Sequence, residues 1–310
     1  QSLRELDAAR SGSGPAASLS CLAGSPGAMS DELGVLLSLR RCASALQAVD
    51  DAAGSAGSGA ADGAAAGIVA AQGAYMKPFW VAKYEAEAGK NWDQFYKRHS
   101  CRGFGDRHYV DDEFPEMFED GLLVEVGCGV GNTVLPMLKA HPRLRAVAFD
   151  FAPRAIEALR AHADFDSRRC NAVVCDVAHE PLPVLDCSAD YVTCFFALSA
   201  VAPRDFPTVA QKLAQALKPG GRLLFRDYGR YDLAQLRFKK GRRLGENHYV
   251  RSEGTLSYFF TPDQLVSLFQ TGAGLEVVDC GFNKRNQLNR ATEEERKRVF
   301  VQAHFSKPIR

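Results

Sequence analysis

The sequence predicts an α/β fold in which a parallel sheet has helices on both faces. Two observations lead to this prediction. After residue 120, short apolar runs typical of strands alternate with longer segments whose apolar residues have helical spacing. Each run is separated from the next by a helix-sized segment, which is the connection that parallel neighbours need. With 310 residues and 46% hydrophobic content, the chain is long enough to bury such a core.

The strands and helices follow one another in a regular order. The apolar runs predict strands at 122–126, 145–150, 171–176, 191–196 and 221–227. Helices are predicted between them at 132–141, 152–162 and 205–221, the last closed by Lys218, Pro219 and two glycines. These elements account for five parallel strands.

The C-terminal part completes the sheet. Thr261 is predicted to cap a helix that has Pro262 at its first position. The apolar runs at 275–282 and 298–305 are predicted to pair as an antiparallel hairpin at the sheet edge. The prediction is therefore a mainly parallel seven-stranded sheet with an antiparallel edge strand.

Composition divides the chain into three parts. Residues 1–74 are rich in Ala, Gly and Ser, so we expect a mostly disordered low-complexity extension, with one amphipathic helix at 31–49. A flexible linker and an interaction tail both fit this extension. Residues 75–119 are aromatic and charged and are predicted to form a helical cap segment. Residues 120–310 form the predicted domain, with a basic insertion at about 230–260.

Composition also excludes some classes of protein. The net charge of +1 argues neither for nor against an anionic partner. Nine cysteines occur without a CxxC pair or a histidine cluster, so no metal is expected. Apolar neighbours around the cysteines favour free thiols in a reducing compartment such as the cytoplasm, with an organellar or nuclear pool left open. The apolar runs are strand-sized, so no membrane span is expected.

The stretch LLVEVGCGVGNT, at 122–133, contains a glycine turn after the first strand. Gly127, Gly129 and Gly131 give G-x-G-x-G, whereas the dinucleotide fingerprint G-x-G-x-x-G requires glycine where Asn132 stands. The turn allows a ligand to approach the backbone closely, but its spacing is not typical of a pyrophosphate site. A turn with only a packing role is the alternative.

Three acids accompany the glycine turn. Glu125 precedes it, and Asp150 and Asp176 close the second and third strands, where they could bind a ribose and an exocyclic amino group. Each acid alone could be a solvated strand end or a helix cap. Together they favour a cationic ligand with a ribose and an adenine but no phosphate, which describes S-adenosylmethionine.

Further motifs carry a resemblance to a known family. The order EVGCGVGN, FDFAPRAIE, CDVA and YVTCFFALSAV resembles a Rossmann-like class I methyltransferase, whose cofactor is S-adenosylmethionine. Residues 90–116, 225–260 and 298–308 resemble the tRNA 3-methylcytidine methyltransferase family. The resemblance extends from about residue 77 to the end.

The resemblance implies a set of cofactor contacts. Trp92 and Tyr96 match aromatic residues that cover the cofactor, and Phe195 matches an apolar position against the adenine. Packing of the cap segment and of the core are the alternatives for these rings. The expected cofactor-binding residues are Trp92, Tyr96, Glu125, Gly127, Gly129, Asp150, Asp176 and Phe195.

The resemblance also implies the reaction, which is methylation of N3 of cytidine 32 in the tRNA anticodon loop. N3 carries a free lone pair, so no strong base is needed, but a carboxylate beside the base would stabilise the cationic product. The candidate is Asp227, with Arg226 as its partner or a phosphate contact. A salt bridge that holds the strand end is the alternative for Asp227.

Basic residues around the predicted site are candidates for RNA binding. They are Lys97, Arg98, Arg107, His108, Lys239, Lys240, Arg242 and Arg243. A solvated basic face is the alternative. The expected partner is tRNA, with an aminoacyl-tRNA synthetase or another helper protein needed by some family members. A class I methyltransferase acting on a small molecule or a protein, and a non-catalytic tRNA-binding protein, are the alternative functions.

Overall fold

A computed structural model describes residues 59–99, 107, 110, 113–114, 120–289 and 294–309 of the chain. The helix predicted at 31–49 and the candidate His108 lie outside these residues. Ten strands are described: β1 Gly121–Val126, β2 Leu144–Asp150, β3 Cys170–Val174, β4 Ala189–Phe195, β5 Leu217–Tyr228, β6 Arg243–Gly245, β7 His248–Val250, β8 Leu256–Tyr258, β9 Glu276–Asn289 and β10 Glu294–Ser306.

Seven of these strands form the central sheet, in the order β3-β2-β1-β4-β5-β10-β9. β1 to β5 are parallel neighbours, whereas β10 is antiparallel to both β5 and β9. The predicted mainly parallel seven-stranded sheet and its antiparallel edge are confirmed. The remaining strands, β6 to β8, form a small antiparallel sheet that periodicity did not predict.

The helices of the described part of the chain are short. They are α1 Gly59–Ala71, α2 Pro78–Ala86, α3 Ala88–His99, α4 Val134–Ala140, α5 Pro153–Arg160, α6 Phe206–Ala216, α7 Leu233–Leu236 and α8 Pro262–Leu265. α8 continues as a π-helical turn at Val266–Thr271. The Thr261 side chain accepts a hydrogen bond from the Gln264 amide at 3.3 Å, which confirms the predicted cap.

Apolar side chains cover both faces of the sheet. On one face, Val209 and Leu213 of α6 and Phe269 pack with the buried Phe225 of β5. On the other face, residues of α4 and α5 pack with Leu123, Ala148 and Leu224 of the sheet. Helices on both faces, as the sequence predicts, therefore bury the central strands of the sheet, whereas Val174 of β3 and Val278 of β9 at its edges are exposed.

α1 lies within the extension that composition predicted to be mostly disordered. Its alanines favour a helix, because Ala has the highest helix propensity. The segment that follows it is anchored by Gln72, which donates to the carbonyl of Gln235 at 2.7 Å and accepts from the Tyr249 hydroxyl at 2.9 Å. Residues 59–71 thus form a helix, and the segment after it has partners far along the chain.

The insertion at about 230–260 is packed against the main sheet. The carboxylate of Asp232 is fully buried, caps α7 and pairs with Arg298 of β10 at 2.9 Å. Tyr249 and Phe259 are also buried there. This region is thus a folded part of the domain that carries basic residues on its outside. Among the described residues, no helix is both long and apolar enough to cross a membrane.

Candidate functional site

Two adjoining cavities open where the parallel strands β1, β2 and β4 end. The first, which we call the glycine-loop cavity, is lined by residues of the turn after β1 and by Asp150, Phe151, Cys175, Ala197 and Val201, among others. The second, the arginine cavity, has a volume of about 390 Å³ and is lined by Arg107, Arg226, Arg285 and Arg298 among others. Trp92, Tyr96, Gly127 and Phe196 line both cavities.

The glycine turn requires residues without a side chain. Gly127 and Gly129 have φ of +63° and +55°, which L-residues with a Cβ rarely adopt. A Cβ on Gly129 would lie 2.8 Å from the Tyr96 hydroxyl, and one on Gly127 would lie 2.5 Å from the Ala197 Cβ. Gly131 instead faces the core, where a Cβ would meet Leu159 at 2.5 Å. Gly127 thus lines both cavities, Gly129 lines the arginine cavity, and Gly131 serves packing.

Trp92 and Tyr96 of α3 cover the glycine turn. Their spacing of four residues places both on one helix face, with ring centroids 6.0 Å apart. Trp92 is buried, and its indole N–H has no hydrogen-bond partner among the described residues. Burial raises the pKa of the Tyr96 hydroxyl well above its usual range. The free volume of the glycine-loop cavity is about 50 Å³, below the roughly 300 Å³ of typical ligand pockets.

Asp150 stands at the end of β2 and lines the glycine-loop cavity. Its carboxylate accepts from the Gly129 amide at 3.0 Å and from the Ala152 amide at 2.9 Å. Burial raises its pKa to about 6, although both hydrogen bonds act in the opposite direction. Each oxygen keeps a second lone pair, so the carboxylate can accept further bonds from ligand hydroxyls.

Glu125 is buried behind the turn. Burial raises its pKa to about 7, against the opposing charge of Arg107 and hydrogen bonds from Thr133 and Val134. One of its oxygens has no hydrogen-bond partner among the described residues. The Arg107 guanidinium donates to the Thr133 hydroxyl at 3.1 Å and to the Phe195 carbonyl at 3.2 Å. Arg107, predicted to contact RNA, lies in the wall of the arginine cavity and stabilises the glycine turn through these hydrogen bonds.

Asp176 and Phe195 do not line the described walls of either cavity. The Asp176 carboxylate accepts from the Ala178 amide at 2.9 Å and lies 3.0 Å from the His179 ring, so it caps its own turn. Phe195 is 1% exposed and stacks on Phe114 at 6.0 Å, which is the core packing considered as its alternative. The ring that lines both cavities is Phe196, whose φ of +56° breaks the alternation of the strand.

The lining of the glycine-loop cavity suits the adenosine part of S-adenosylmethionine in its chemistry. Its described residues include the carboxylate of Asp150 and no Lys or Arg side chain, which suits a ribose and a sulfonium charge and not a pyrophosphate. Gly127 allows a ligand to approach the backbone where the two cavities meet. Trp92 and Tyr96 offer apolar faces, as ligand pockets generally do.

The arginine cavity contains one carboxylate among its described lining residues, that of Glu113. One of its oxygens pairs with Arg226 and the other with Arg285 of β9. Glu113 is 11% exposed and Arg226 only 4%, so this ion pair is largely shielded from water. Arg298 lies over the Phe300 ring at 5.0 Å and also pairs with Asp232.

Asp227 is fully buried and does not line the described wall of either cavity. Its carboxylate accepts from the Ser199 amide at 2.9 Å and from the Tyr228 amide at 2.8 Å, and burial raises its pKa to about 6. Successive side chains of a strand point to opposite faces, so Arg226 and Tyr228 face the cavity and Asp227 points away. The predicted place of Asp227 beside a substrate base is therefore not found.

The remaining basic candidates divide into exposed and anchored side chains. Lys97, Arg98, Lys239 and Lys240 are exposed. Arg242 and Arg243 are half-buried and donate to the backbone carbonyls of Arg251 and Gly73, at 3.4 and 2.9 Å. Arg243 also lies over the Tyr75 ring at 4.6 Å, so it fastens the segment after α1 to the insertion.

Sequence reasoning did not find several residues that line the arginine cavity. They are Glu113, Phe196, Ser199, Tyr228, Arg285 and Arg298. None stands in a recognisable spacing, and Arg285 and Arg298 come from the hairpin at the sheet edge, far along the chain from Glu113. The available signals were the positions of Tyr228 next to Asp227 and of Phe196 next to Phe195, both of which the sequence analysis had singled out.

Comparisons with known proteins agree with this geometry. A family described as a methyltransferase domain matches residues 99–279. The tRNA N(3)-methylcytidine methyltransferase Mettl2 of Drosophila melanogaster is 42% identical over 240 residues, which are 73% of this chain and 74% of that protein. The tRNA N(3)-cytidine methyltransferase METTL6 of Homo sapiens is 46% identical over 242 residues, 75% of this chain and 85% of that protein.

The fold also has relatives among solved structures. An S-adenosylmethionine-dependent methyltransferase from Methanosarcina mazei matches with a TM-score of 0.50 and 18% identity. The match covers 66% of this chain and all of the other. At that identity the likeness concerns the fold alone.

Proposed function

The chain belongs to the tRNA N(3)-cytidine methyltransferase family, and we propose that it methylates N3 of a cytidine in tRNA with S-adenosylmethionine as the methyl donor. The supporting observation is the junction of the two cavities. A cavity suited to a phosphate-free nucleoside meets an arginine-lined one, and the rings of Trp92, Tyr96 and Phe196 belong to both walls. A donor in the first can thus face an acceptor in the second.

The cofactor side is proposed to work through close approach and charge. S-adenosylmethionine, when bound, supplies an electrophilic methyl group on a positively charged sulfur. Gly127 and Gly129 leave room for it, and Asp150 accepts hydrogen bonds from the ribose hydroxyls. Trp92 and Tyr96 cover the adenosine, which excludes water from the junction.

The acceptor side is proposed to receive one unpaired base. N3 lies on the Watson-Crick edge of cytosine, so the nucleotide must leave any pair and turn into the arginine cavity. A volume of about 390 Å³ is within the range of ligand pockets. Because N3 already carries a lone pair, alignment of the two reactants supplies most of the rate. From the family resemblance we propose cytidine 32 of the anticodon loop as the target.

The reaction is tested by incubating isolated tRNA isoacceptors with the purified protein and labelled cofactor, followed by nucleoside analysis. We expect label in 3-methylcytidine, and its loss when cytidine 32 is replaced by uridine. The reaction is run with the protein alone and with aminoacyl-tRNA synthetases added, because a helper protein is a proposed partner. Label in another nucleoside, or only in a small molecule or a protein, would contradict the proposal.

The exposed lysines of the insertion are proposed to contact tRNA phosphates. Replacing Lys239 and Lys240 by Glu should weaken tRNA binding. It should also reduce the slope of the logarithm of the tRNA association constant against the logarithm of the salt concentration by up to about 2, because each lost phosphate contact contributes about 0.9. Binding of S-adenosylhomocysteine should not change. Lys139→Glu with Arg145→Glu is the charge-matched control, because Arg145 is exposed at the start of β2, away from the cavities at its other end. Equal tRNA affinity in the two double variants would remove these lysines from the interface.

The segments of the chain are proposed to divide the work. The insertion at about 230–260 and the edge hairpin belong to the acceptor side, whereas residues 75–119 contribute to both sides, with Trp92 and Tyr96 at the cofactor and Glu113 in the arginine cavity. The parallel strands and their connections hold the cofactor. For Asp227 we propose a positioning role, in which it holds the Ser199 amide at the wall of the arginine cavity.

A further inference from the structure

Recognition of cytosine at N3 requires a hydrogen-bond acceptor beside its amino group. The amino group N4 is a donor next to N3, whereas uracil has a carbonyl oxygen in that place. As N3 forms its bond to the methyl carbon, the electron pair of the broken carbon–sulfur bond stays on the sulfur, and the positive charge passes to the ring. That charge spreads over N3, C4 and N4. A carboxylate at N4 would therefore both select the base and stabilise the methylated ring.

The described walls of the arginine cavity contain one carboxylate that can take this position, that of Glu113. Asp227, the other acid near the end of β5, is fully buried and already accepts two backbone amides. The carboxylate of Asp150 lines the glycine-loop cavity instead. Position alone thus singles out Glu113.

Arg226 and Arg285 hold the Glu113 carboxylate in place, one at each oxygen. An ionised carboxylate offers about four acceptor sites, so each oxygen still has a lone pair for a substrate N–H. Because both arginines are already in contact, little reorganisation is needed when the base arrives. Arg226 is also held over the Phe300 ring at 5.0 Å, which fixes the direction of the pair.

We infer that Glu113 is the specificity-determining residue that accepts a hydrogen bond from N4 of the target cytosine and stabilises the positive charge of the methylated ring. This inference rests on the proposed function. It replaces Asp227 by Glu113 as the carboxylate that touches the substrate. It also gives Arg226 and Arg285 a positioning role through that carboxylate.

The test is a cycle that combines a change in the enzyme with a change in the substrate. Glu113→Ala removes the acceptor, and tRNA with 2-pyrimidinone in place of the target cytosine lacks the amino group but keeps N3. For the wild type, loss of the amino group should lower kcat/KM about 10- to 100-fold, as expected for a hydrogen bond to a charged group. In Glu113→Ala the same change should cost several-fold less than in the wild type, because the hydrogen bond is already lost and only the lower nucleophilicity of N3 without the amino group, common to both enzymes, remains.

Controls separate this role from a structural one. Glu157→Ala, an exposed acid on α5, should show the full wild-type dependence on the amino group. Glu113→Gln keeps an oxygen for Arg226 and for N4, so it should retain most of that dependence while kcat falls, because the charge is lost. Thermal unfolding and S-adenosylhomocysteine affinity confirm that each variant is folded.

The outcomes are distinct. An equal cost of the amino deletion in wild type and Glu113→Ala overturns the inference. If Glu113→Ala has no measurable turnover, the same cycle is measured as the affinity for the two tRNAs in the presence of S-adenosylhomocysteine, with the same criterion. If the wild type does not form 3-methylcytidine at all, the proposed function fails, which is a different result.

Discussion

Replacing Gly129 by Ala tests how the cofactor turn and its aromatic cover fit together. The new Cβ would lie 2.8 Å from the Tyr96 hydroxyl oxygen and 3.6 Å from the ring carbon that carries it. Contacts below 3.0 Å require something to move, and the ring is confined by Trp92 and Phe95, with centroids 6.0 and 5.7 Å away. The substitution therefore adds a steric cost to the cost of its backbone conformation.

The backbone cost and the steric cost of Gly129→Ala can be estimated separately. A residue with a Cβ in the left-handed region costs about 1–2 kcal/mol relative to glycine. Overpacking of a confined side chain costs about 1–3 kcal/mol more. Gly241 has φ +75° and no atom within 4 Å of its Cβ position, so Gly241→Ala carries the backbone cost alone. The effect of Ala on the unfolded chain is common to both variants and cancels.

Equilibrium unfolding in urea measures the difference. We expect Gly241→Ala to lose about 1–2 kcal/mol and Gly129→Ala about 2–5 kcal/mol of unfolding free energy. Tyr96→Phe removes the oxygen at 2.8 Å, so in that background Gly129→Ala should cost no more than Gly241→Ala. A Gly129→Ala cost that is the same with Tyr or Phe at position 96 would refute the contact between the turn and its cover.

Two further predictions concern buried acids. Burial raises the pKa of Glu125 from 4.5 to about 7. The native state therefore binds the Glu125 proton more tightly than the unfolded chain does. The unfolding free energy that this group contributes is present below pH 4.5 and is lost as the pH rises to about 7. In Glu125→Gln, the decrease in unfolding free energy between pH 5 and pH 7.5, measured in urea, should be smaller by up to about 3 kcal/mol. An unchanged pH profile would contradict the raised pKa of Glu125. Asp227→Asn leaves one of the Ser199 and Tyr228 amides without its acceptor, so it should lower the unfolding free energy by about 1–3 kcal/mol. Turnover per folded molecule should fall less than in Glu113→Ala. A larger loss of turnover in Asp227→Asn than in Glu113→Ala would assign Asp227 a role in the reaction.

The main sheet could be predicted because each of its strands carries its own signal. A buried parallel strand is a continuous apolar run, and the helix after it has helical spacing, so the order and number of the strands follow from local patterns. β6, β7 and β8 have three residues each, which is too short for any periodicity to appear. α1 was missed for another reason, since its alanine-rich sequence lacks apolar bulk and is followed by a polar anchor, Gln72, that sequence reasoning cannot pair with Tyr249.

Part of the lining of the glycine-loop cavity was also predictable. The carboxyl ends of parallel strands meet at one edge, so Gly127 and Asp150 could be expected to lie together, and they line one cavity. The alternation of side-chain direction along β4 does not continue past the end of the strand. The left-handed backbone conformation of Phe196 brings its ring, and not that of Phe195, to the cavity wall. Sequence gives residue order, but it does not give the backbone angle at that position.

The acceptor side differs because no local pattern encodes it. Glu113 and Arg285 are 172 residues apart, and Arg226 reaches the same carboxylate from the end of β5. A contact among three distant segments leaves no spacing in the sequence. The glycine turn and Asp150 can therefore stay unchanged in a methyltransferase while the acceptor changes, because the groups that we propose to contact the acceptor are carried by the cap segment and the edge hairpin. On this view Glu113, and not the cofactor turn, is the position at which a change of target base should first appear.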